Sequence, residues 1–161
     1  MAYNVSTILY ATDLGPHGPE VFSHATAVAQ QFGAKIHIVH VLEPMGEYAH
    51  SLLINYLPED KLNALRREGF DEARQEIHRR LEKFCQDELH AGTSGLVANT
   101  KVVEGLPYQV ILDEAKRINA DLIVMGSHGQ TALGEMFMGS VAHKLTLKST
   151  VPVLLVPIKR D

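Results

Sequence analysis

The sequence of 161 residues contains one cysteine, no tryptophan and only 6% aromatic residues. A single cysteine excludes a framework of disulfides within the chain and is typical of a protein from a reducing compartment. Basic residues are outnumbered by acidic ones, 15 to 19, which gives a formal net charge of -4. Because non-specific nucleic-acid binding depends on lysine and arginine side chains that neutralise phosphates, this balance argues against a nucleic-acid partner.

Long apolar runs and targeting segments are also missing. The longest apolar run, Val151 to Ile158, is interrupted by two prolines, and it is far shorter than the ~20 residues that a membrane-spanning helix needs. Met1 to Thr12 contains no basic segment followed by an apolar stretch and a cleavage site, so no secretory signal is predicted. We therefore expect a cytoplasmic protein without membrane insertion.

The composition that remains is that of one globular domain, with 45% apolar and 21% charged residues. A domain of this length removes roughly 68–70% of the surface of its unfolded chain from water, so it can build a core without disulfides or a structural metal. The sequence shows no linker, no repeat and no low-complexity tract. We predict a single domain over residues 1–161.

Strand patterns and helix patterns alternate along the whole chain. A strand that is joined to the next strand through a helix favours a parallel pair with a right-handed crossover. The sequence therefore predicts a three-layer α/β domain with a five-stranded parallel sheet. Strands are predicted at Val5–Thr12, Lys35–Leu42, Leu96–Val103, Asp121–Met125 and Val151–Val156, and helices at Pro19–Phe32, Glu59–Leu89, Pro107–Ile118 and Ser140–Leu147.

The segment from Met125 to Val141 is rich in glycine and lies between a predicted strand and a predicted helix. Glycine lets backbone N–H groups approach a ligand closely, and a helix N-terminus offers unpaired donors and a favourable dipole to an anion. Ligands of open parallel sheets bind outside the carboxyl ends of the strands, where this segment, Asp13 and Val41 should meet. The spacing fits neither a phosphate loop nor a dinucleotide fingerprint. The alternative is a segment that only turns the chain, with Ser140 as a helix cap.

The glycine pattern resembles the ATP-binding signature of the universal stress protein family: Gly126, two residues, Gly129, nine residues, then Gly139-Ser140. Other blocks resemble the family in the same order and cover nearly the whole chain. They are Ile8–Asp13, His40-Val41, Val103–Pro107, Ala120–Gly126 and Val151–Val156. The resemblance implies a Rossmann-like domain similar to the adenine nucleotide alpha hydrolases. It also implies an ATP-binding regulatory or stress-response module without catalytic residues.

The resemblance further implies which residues meet ATP. Adenine would lie between the ends of the first two strands, near Ala11, Thr12 and the backbone of Val41. Asp13 would suit a ribose hydroxyl or a water on a divalent ion, although a carboxylate in this position also forms turns. The ribose and phosphates would meet Asp13, Met125, Gly126, His128, Gly129, Gly139, Ser140 and Val141.

Positive charge is scarce around this predicted site. The family's loop often carries a basic residue and a further glycine where this chain has Gln130 and Ala132. His128 is then the only local candidate cation, so the phosphates should require Mg²⁺ or Mn²⁺, held without direct protein ligands. Lys144, one turn inside the following helix, is an alternative cation, although a lysine there is typical of a solvated helix face. The histidines match no zinc pattern.

The last predicted strand, Val151 to Val156, is apolar on both faces and would lie at an edge of the sheet. Unpaired edges invite pairing with another chain, and the resemblance implies a homodimer through two such strands about a two-fold axis. The alternative is an edge shielded by the preceding turn, Thr146 to Thr150, and by Pro152. Two other functions stay open: an ATP-using enzyme, such as a nucleotidyl transferase or slow ATPase, and a dimeric scaffold with a degenerate crevice. The downstream protein partner is unknown.

Overall fold

The computed structural model describes residues 2–43, 55, 58–88, 95–128 and 139–158. Strands and helices alternate through these ranges, as the sequence predicts. In chain order they are β1 (Thr7–Thr12), α1 (Gly18–Phe32), β2 (Lys35–Leu42), α2 (Glu59–Glu88), β3 (Val97–Glu104), α3 (Pro107–Arg117), β4 (Leu122–Gly126), α4 (Ser140–Lys148) and β5 (Val153–Val156).

The five strands form one sheet in the order β3-β2-β1-β4-β5, and every neighbouring pair is parallel. This confirms the predicted fold. The chain adds β2 and β3 on one side of β1 and then β4 and β5 on the other side. The direction of winding therefore reverses between β1 and β4, which is the point of such a sheet where ligands bind.

Each face of the sheet is covered by two helices. On one face, α1 and α2 pack against the sheet around three aromatic rings; the centroid of Phe22 lies 5.4 Å from Tyr10 and 5.1 Å from Phe84. On the other face, α3 and α4 bury Ile111 and Leu145. Aromatic pairs at these separations add about 0.5–1.5 kcal/mol to the contribution of the apolar area that they bury. The two cores give the three layers that the sequence predicts.

The helix α4 begins at Ser140, as the sequence predicts, but its cap is Gly139, so the alternative role of Ser140 as the helix cap is wrong. Two strands start two residues later than predicted: β1 at Thr7 instead of Val5, and β5 at Val153 instead of Val151. The Ser149 side chain holds Val151 in a turn, since its Oγ donates to the Val151 carbonyl at 2.6 Å and accepts from the Val151 N–H at 3.0 Å.

Gly33 ends α1 as the sequence predicts. Its φ of +68° lies in the left-handed region, which glycine adopts without the steric cost of a Cβ. The following N–H, of Ala34, turns back to the Ala29 carbonyl at 2.8 Å. This geometry satisfies a carbonyl at the helix end and sends the chain directly into β2.

A buried carboxylate joins α3 to the edge strand β3. Glu114 is 8% exposed; its Oε2 accepts from the Arg117 guanidinium at 2.8 Å and its Oε1 from Lys101 Nζ at 2.9 Å. The hydrogen bond from Arg117 lowers the pKa of Glu114 most, and Lys101 adds to this effect, although burial opposes it. A buried carboxylate with two cationic donors favours the folded state only while it is ionised.

We expect Glu114→Gln to lower the free energy of unfolding by about 1–3 kcal/mol at neutral pH. The folded-state pKa of Glu114 is depressed. Its contribution is therefore complete above the unfolded pKa and is lost as the pH falls through the folded pKa. Urea unfolding at a series of pH values should show the difference from wild type shrinking on acidification. Glu76→Gln, which removes an exposed partner of Arg79, is the control; equal losses in both variants would contradict this account.

Candidate functional site

A cavity of about 520 Å³ opens at the carboxyl ends of the central strands, beside the N-terminus of α4. It lies at the point where the winding of the sheet reverses. Residues that follow β1, β2 and β4 form its rim, and the first turn of α4 closes one side. Its lining residues are Tyr10, Ala11, Thr12, Asp13, His17, Gly18, Val21, Val39, His40, Val41, Glu43, Pro107, Ile111, Met125, Gly126, Ser127, His128, Gly139, Ser140, Val141, Ala142 and Ile158.

This cavity brings together residues that the sequence predicts to meet a nucleotide. They come from four separate segments of the chain. The predicted residues that line it are Ala11, Thr12, Asp13, Val41, Met125, Gly126, His128, Gly139, Ser140 and Val141. Gly129, Gln130 and Ala132 lie outside the described residues, so the predictions about them remain predictions.

Two local hydrogen bonds turn the chain away from the sheet at the end of β1. The Thr12 hydroxyl accepts from the Leu14 N–H at 3.0 Å, and the Asp13 carboxylate accepts from the Gly15 N–H at 2.9 Å. Leu14 takes a positive φ of 59°, which few residues with a branched side chain adopt. The Asp13 carboxylate therefore forms a turn, which was the alternative to contact with the nucleotide, and Asp13 also lines the cavity.

This turn leaves the carbonyl of Val41 facing the cavity. Neighbouring peptide groups of a strand point to opposite sides. The Leu42 carbonyl points toward β3, where it accepts from the Gly105 N–H at 3.1 Å, so the Val41 carbonyl points toward β1. Continuation of that ladder would need the N–H of Leu14, which is donated to Thr12 Oγ1 instead. An acceptor on β2 thus faces the space beyond the end of β1.

The N-terminus of α4 supplies donors on the opposite side of the cavity. His143 is the first residue of this helix whose N–H donates to a carbonyl of the same turn, that of Gly139, at 2.9 Å. The preceding N–H groups of Ser140, Val141 and Ala142 have no intrahelical acceptor, and none of the described side chains caps the helix. All three residues line the cavity. Such a helix end attracts anions through its donors and its dipole.

Ser127 connects this helix end to β5 and to His128. Its N–H donates to the Val156 carbonyl at 2.9 Å, and its own carbonyl accepts from Gly139 N–H at 2.9 Å. The Ser127 hydroxyl accepts from the Ile158 N–H at 3.2 Å and lies 2.9 Å from His128 Nδ1. The other ring nitrogen, His128 Nε2, is buried, and the described residues offer it no hydrogen-bond partner. When the Ser127 hydroxyl donates to Nδ1, Nε2 carries the ring proton and suits a ligand oxygen as a donor.

Gly126 is explained by packing as well as by its place on the cavity. A Cβ atom at Gly126 would lie 2.7 Å from Ile158 Cδ1, so a larger residue would force the Ile158 side chain to move. Sequence reasoning missed Ile158 and Ser127, because their contacts join residues about thirty positions apart, and no local pattern indicates them. It named His40 only as part of a family-like block and gave it no role, although His40 lines the cavity.

The structure does not support Lys144 as a cation for this site. Lys144 Nζ lies 4.9 Å from the centroid of the Tyr108 ring, and Lys148 Nζ lies 5.0 Å from the same centroid. Lys144 does not line the cavity. Within the described ranges, no lysine or arginine side chain lines the cavity, so the positive potential there comes from N–H groups and histidines.

The described residues contain no group of three or more histidine, cysteine, aspartate or glutamate side chains with the geometry to hold a metal ion. None of their helices combines the length and the hydropathy that crossing a bilayer requires.

Residues 4–157 match the model of the Universal stress protein family. The chain belongs to this family. It is 34% identical over 152 residues to a universal stress protein of Thermus aquaticus, with 93% of this chain and 97% of that protein covered. It is 33% identical to universal stress protein YxiE of Bacillus subtilis, with 92% and 97% covered.

Solved structures of universal stress proteins share the fold. The structure of protein MJ0577 superposes with a TM-score of 0.69 at 27% identity, covering 98% of this chain and 99% of that one; universal stress protein MJ0577 comes from Methanocaldococcus jannaschii. A universal stress protein in complex with cAMP has a TM-score of 0.65 at 22% identity, covering 94% and 97% of the two chains. The second likeness, at its lower identity, shows the fold alone.

Proposed function

We propose that this universal stress protein binds ATP in the cavity and acts as a nucleotide-dependent regulatory or stress-response module. One observation carries the proposal: three N–H groups without intrahelical acceptors lie on one cavity together with His128, whose Nε2 has no partner among the described residues. Several donors around a water-accessible space suit the oxygens of a phosphate chain. The glycine signature that ends at Gly139-Ser140 supports the same ligand.

The charge of the site calls for a divalent ion. ATP carries several negative charges, whereas the described lining residues include no lysine or arginine. Mg²⁺ or Mn²⁺ bound mainly by phosphate oxygens and water would offset them, as is usual for nucleotide sites with few carboxylate ligands. Asp13 and Glu43 line the cavity and suit water molecules on such an ion. When bound, the ion supplies charge neutralisation.

The opposite end of the cavity suits adenine. The Val41 carbonyl, directed toward the end of β1, can accept from the exocyclic amino group of adenine. Guanine presents a carbonyl oxygen at the equivalent position, which would place two acceptors against each other. Val39, Val41 and Ile111 supply apolar surface beside this carbonyl, and apolar surface with few polar groups is typical of sites for ring systems.

We expect calorimetric titration to show ATP binding in the micromolar range with Mg²⁺ present, weaker binding without it, and weaker binding of GTP. Titration with cAMP, the ligand of one structural relative, tests the contribution of the α4 donors to the affinity. The single phosphate of cAMP cannot occupy all of these donors. Equal affinities for ATP and GTP would contradict the adenine assignment. Equal affinities with and without the ion would contradict its role.

Two experiments distinguish this module from the ATP-using enzyme and from the scaffold. In the first, the purified protein is denatured by heat and the nucleotides that it releases are analysed; in the second, the native protein is incubated with ATP. Retained ATP without turnover supports the proposed module. Turnover to ADP or AMP supports the ATP-using enzyme, and absence of nucleotide together with absence of binding supports the scaffold with a degenerate crevice.

A further inference from the structure

The imidazole ring of His40 lies at the end of the cavity where we propose that the base binds. It lies on β2, directly before Val41, and its Nδ1 lies 2.8 Å from the Thr12 carbonyl oxygen of β1. His40 is half-buried and lines the cavity. The ring therefore spans from β2 to the last residue of β1, over the place where the chain turns away from the sheet.

The partner of Nδ1 decides which ring nitrogen carries the proton. A backbone carbonyl can only accept a hydrogen bond, so Nδ1 must be the donor and must carry the proton. In the neutral imidazole the other nitrogen, Nε2, is then an acceptor. The Thr12 carbonyl thus fixes the tautomer of His40 and leaves Nε2 with a lone pair for a ligand.

Two residues with a free acceptor consequently lie beside the end of β1 and line the cavity. The Val41 carbonyl points there because of the alternation along β2, and the His40 ring is held there by Thr12. An exocyclic amino group on a base carries two hydrogens and can donate to both acceptors, whereas a carbonyl oxygen on the base would be repelled by both. The polar groups of the site would then be unpaired, which lowers the affinity for that base.

We propose that His40 is a specificity-determining residue, whose Nε2 accepts from the 6-amino group of a purine nucleotide and rejects 6-oxo purines. This inference rests on the proposed function, because it assigns the base end of the same cavity. The carbonyl of Val41 alone would recognise the base through a single hydrogen bond. His40 adds a second hydrogen bond, from a side chain.

The test compares ATP with inosine triphosphate, which differs at the 6-position of the base. The key variant is His40→Asn, because the asparagine amide can replace Nδ1–H as donor to the Thr12 carbonyl but places no atom at the position of Nε2. We expect it to lower the preference for ATP over inosine triphosphate by about tenfold, the effect of one buried hydrogen-bonding group.

His24→Asn is the matched control. His24 also directs Nδ1 at a backbone carbonyl, that of Glu20 at 2.9 Å, but it lies on the exposed face of α1. This variant should keep the wild-type preference. A merely structural effect of His40→Asn would lower the affinity for both nucleotides in the same proportion and leave their ratio unchanged.

Nitrogen-15 spectra of histidine-labelled protein give a second readout. In the free protein, His40 should show a protonated Nδ1 and an unprotonated Nε2, and the Nε2 resonance should shift with ATP more than with inosine triphosphate. A protonated Nε2 in the neutral ring, or an unchanged nucleotide preference in His40→Asn while wild type still binds ATP, would overturn the assignment of His40 alone. Wild-type protein that binds neither nucleotide would overturn the proposed function together with it.

Discussion

Gly139→Val should remove ATP binding and leave the fold in place. Gly139 is the N-cap of α4, with φ -56° and ψ 150°, a conformation that valine adopts without strain. Its side chain would project at the cavity beside the N–H groups of Ser140 and Val141, in the space proposed for the phosphates. Valine is a poorer N-cap than glycine, at a cost of roughly 1 kcal/mol, so we expect the melting temperature to fall by only about 2–4 °C.

The measurement pairs a melting curve with calorimetric titration of ATP and Mg²⁺. Gly95→Val is the control, because a Cβ at Gly95 meets no atom within 4 Å and the residue lies outside the cavity lining. It should bind ATP as wild type does. If Gly139→Val keeps its affinity for ATP, the phosphates do not bind at α4.

The second large effect concerns assembly through β5, the strand at the edge of the sheet. The carbonyls of Pro152 and Val156 point inward, since they accept from the N–H groups of Ile123 and Ser127 at 2.9 Å. By the alternation of peptide groups, Val153 and Leu155 direct their N–H and carbonyl groups outward. We expect two copies of this edge to pair about a two-fold axis, which would close the assembly as a dimer.

Leu155→Pro should shift the protein from dimer to monomer. Proline at this position removes an outward donor and leaves the bonds between β4 and β5 intact. Leu155→Ala is the control; it shortens the same half-buried side chain but keeps the N–H, so it should remain dimeric. Light scattering after size exclusion gives the mass of each variant. A monomeric wild type at tens of micromolar would contradict the proposed interface.

The same alternation separates a structural effect from an assembly effect. Leu154 directs its N–H inward to the β4 ladder, so Leu154→Pro would weaken the sheet itself. We therefore expect a lower melting temperature for Leu154→Pro than for Leu155→Pro. The sequence shows an apolar terminal strand but not which of its residues face outward, because that depends on the register between β4 and β5.

Much of the fold follows from local patterns. The apolar face of α1 is visible in the spacing of Val21, Phe22, Ala25 and Ala29, and each of these residues is buried in the structure. β2 begins and ends where its run of β-branched residues predicts. Such signals are strong because burial on one face of a helix, or within a sheet, repeats along the chain itself.

The candidate site was predictable only where its residues belong to a contiguous motif. Gly139 and Ser140 lie in a recognisable glycine pattern. In contrast, Ser127 and His40 act through carbonyls and N–H groups of other strands. Their roles depend on which peptide groups the completed sheet leaves available. A histidine in a strand has the same sequence signature whether its ring fills a core or reads a base, so the pairing of β1 with β2 had to be known first.

The hydrogen bond between the Gly139 N–H and the Ser127 carbonyl has a consequence for protein engineering. It fixes the two ends of the intervening segment against each other, 2.9 Å from donor to acceptor, independently of what connects them. Doubling the length of such a connection costs only about 0.6 kcal/mol of closure entropy. We therefore expect an insertion between these residues to retain the register of β4 and the start of α4.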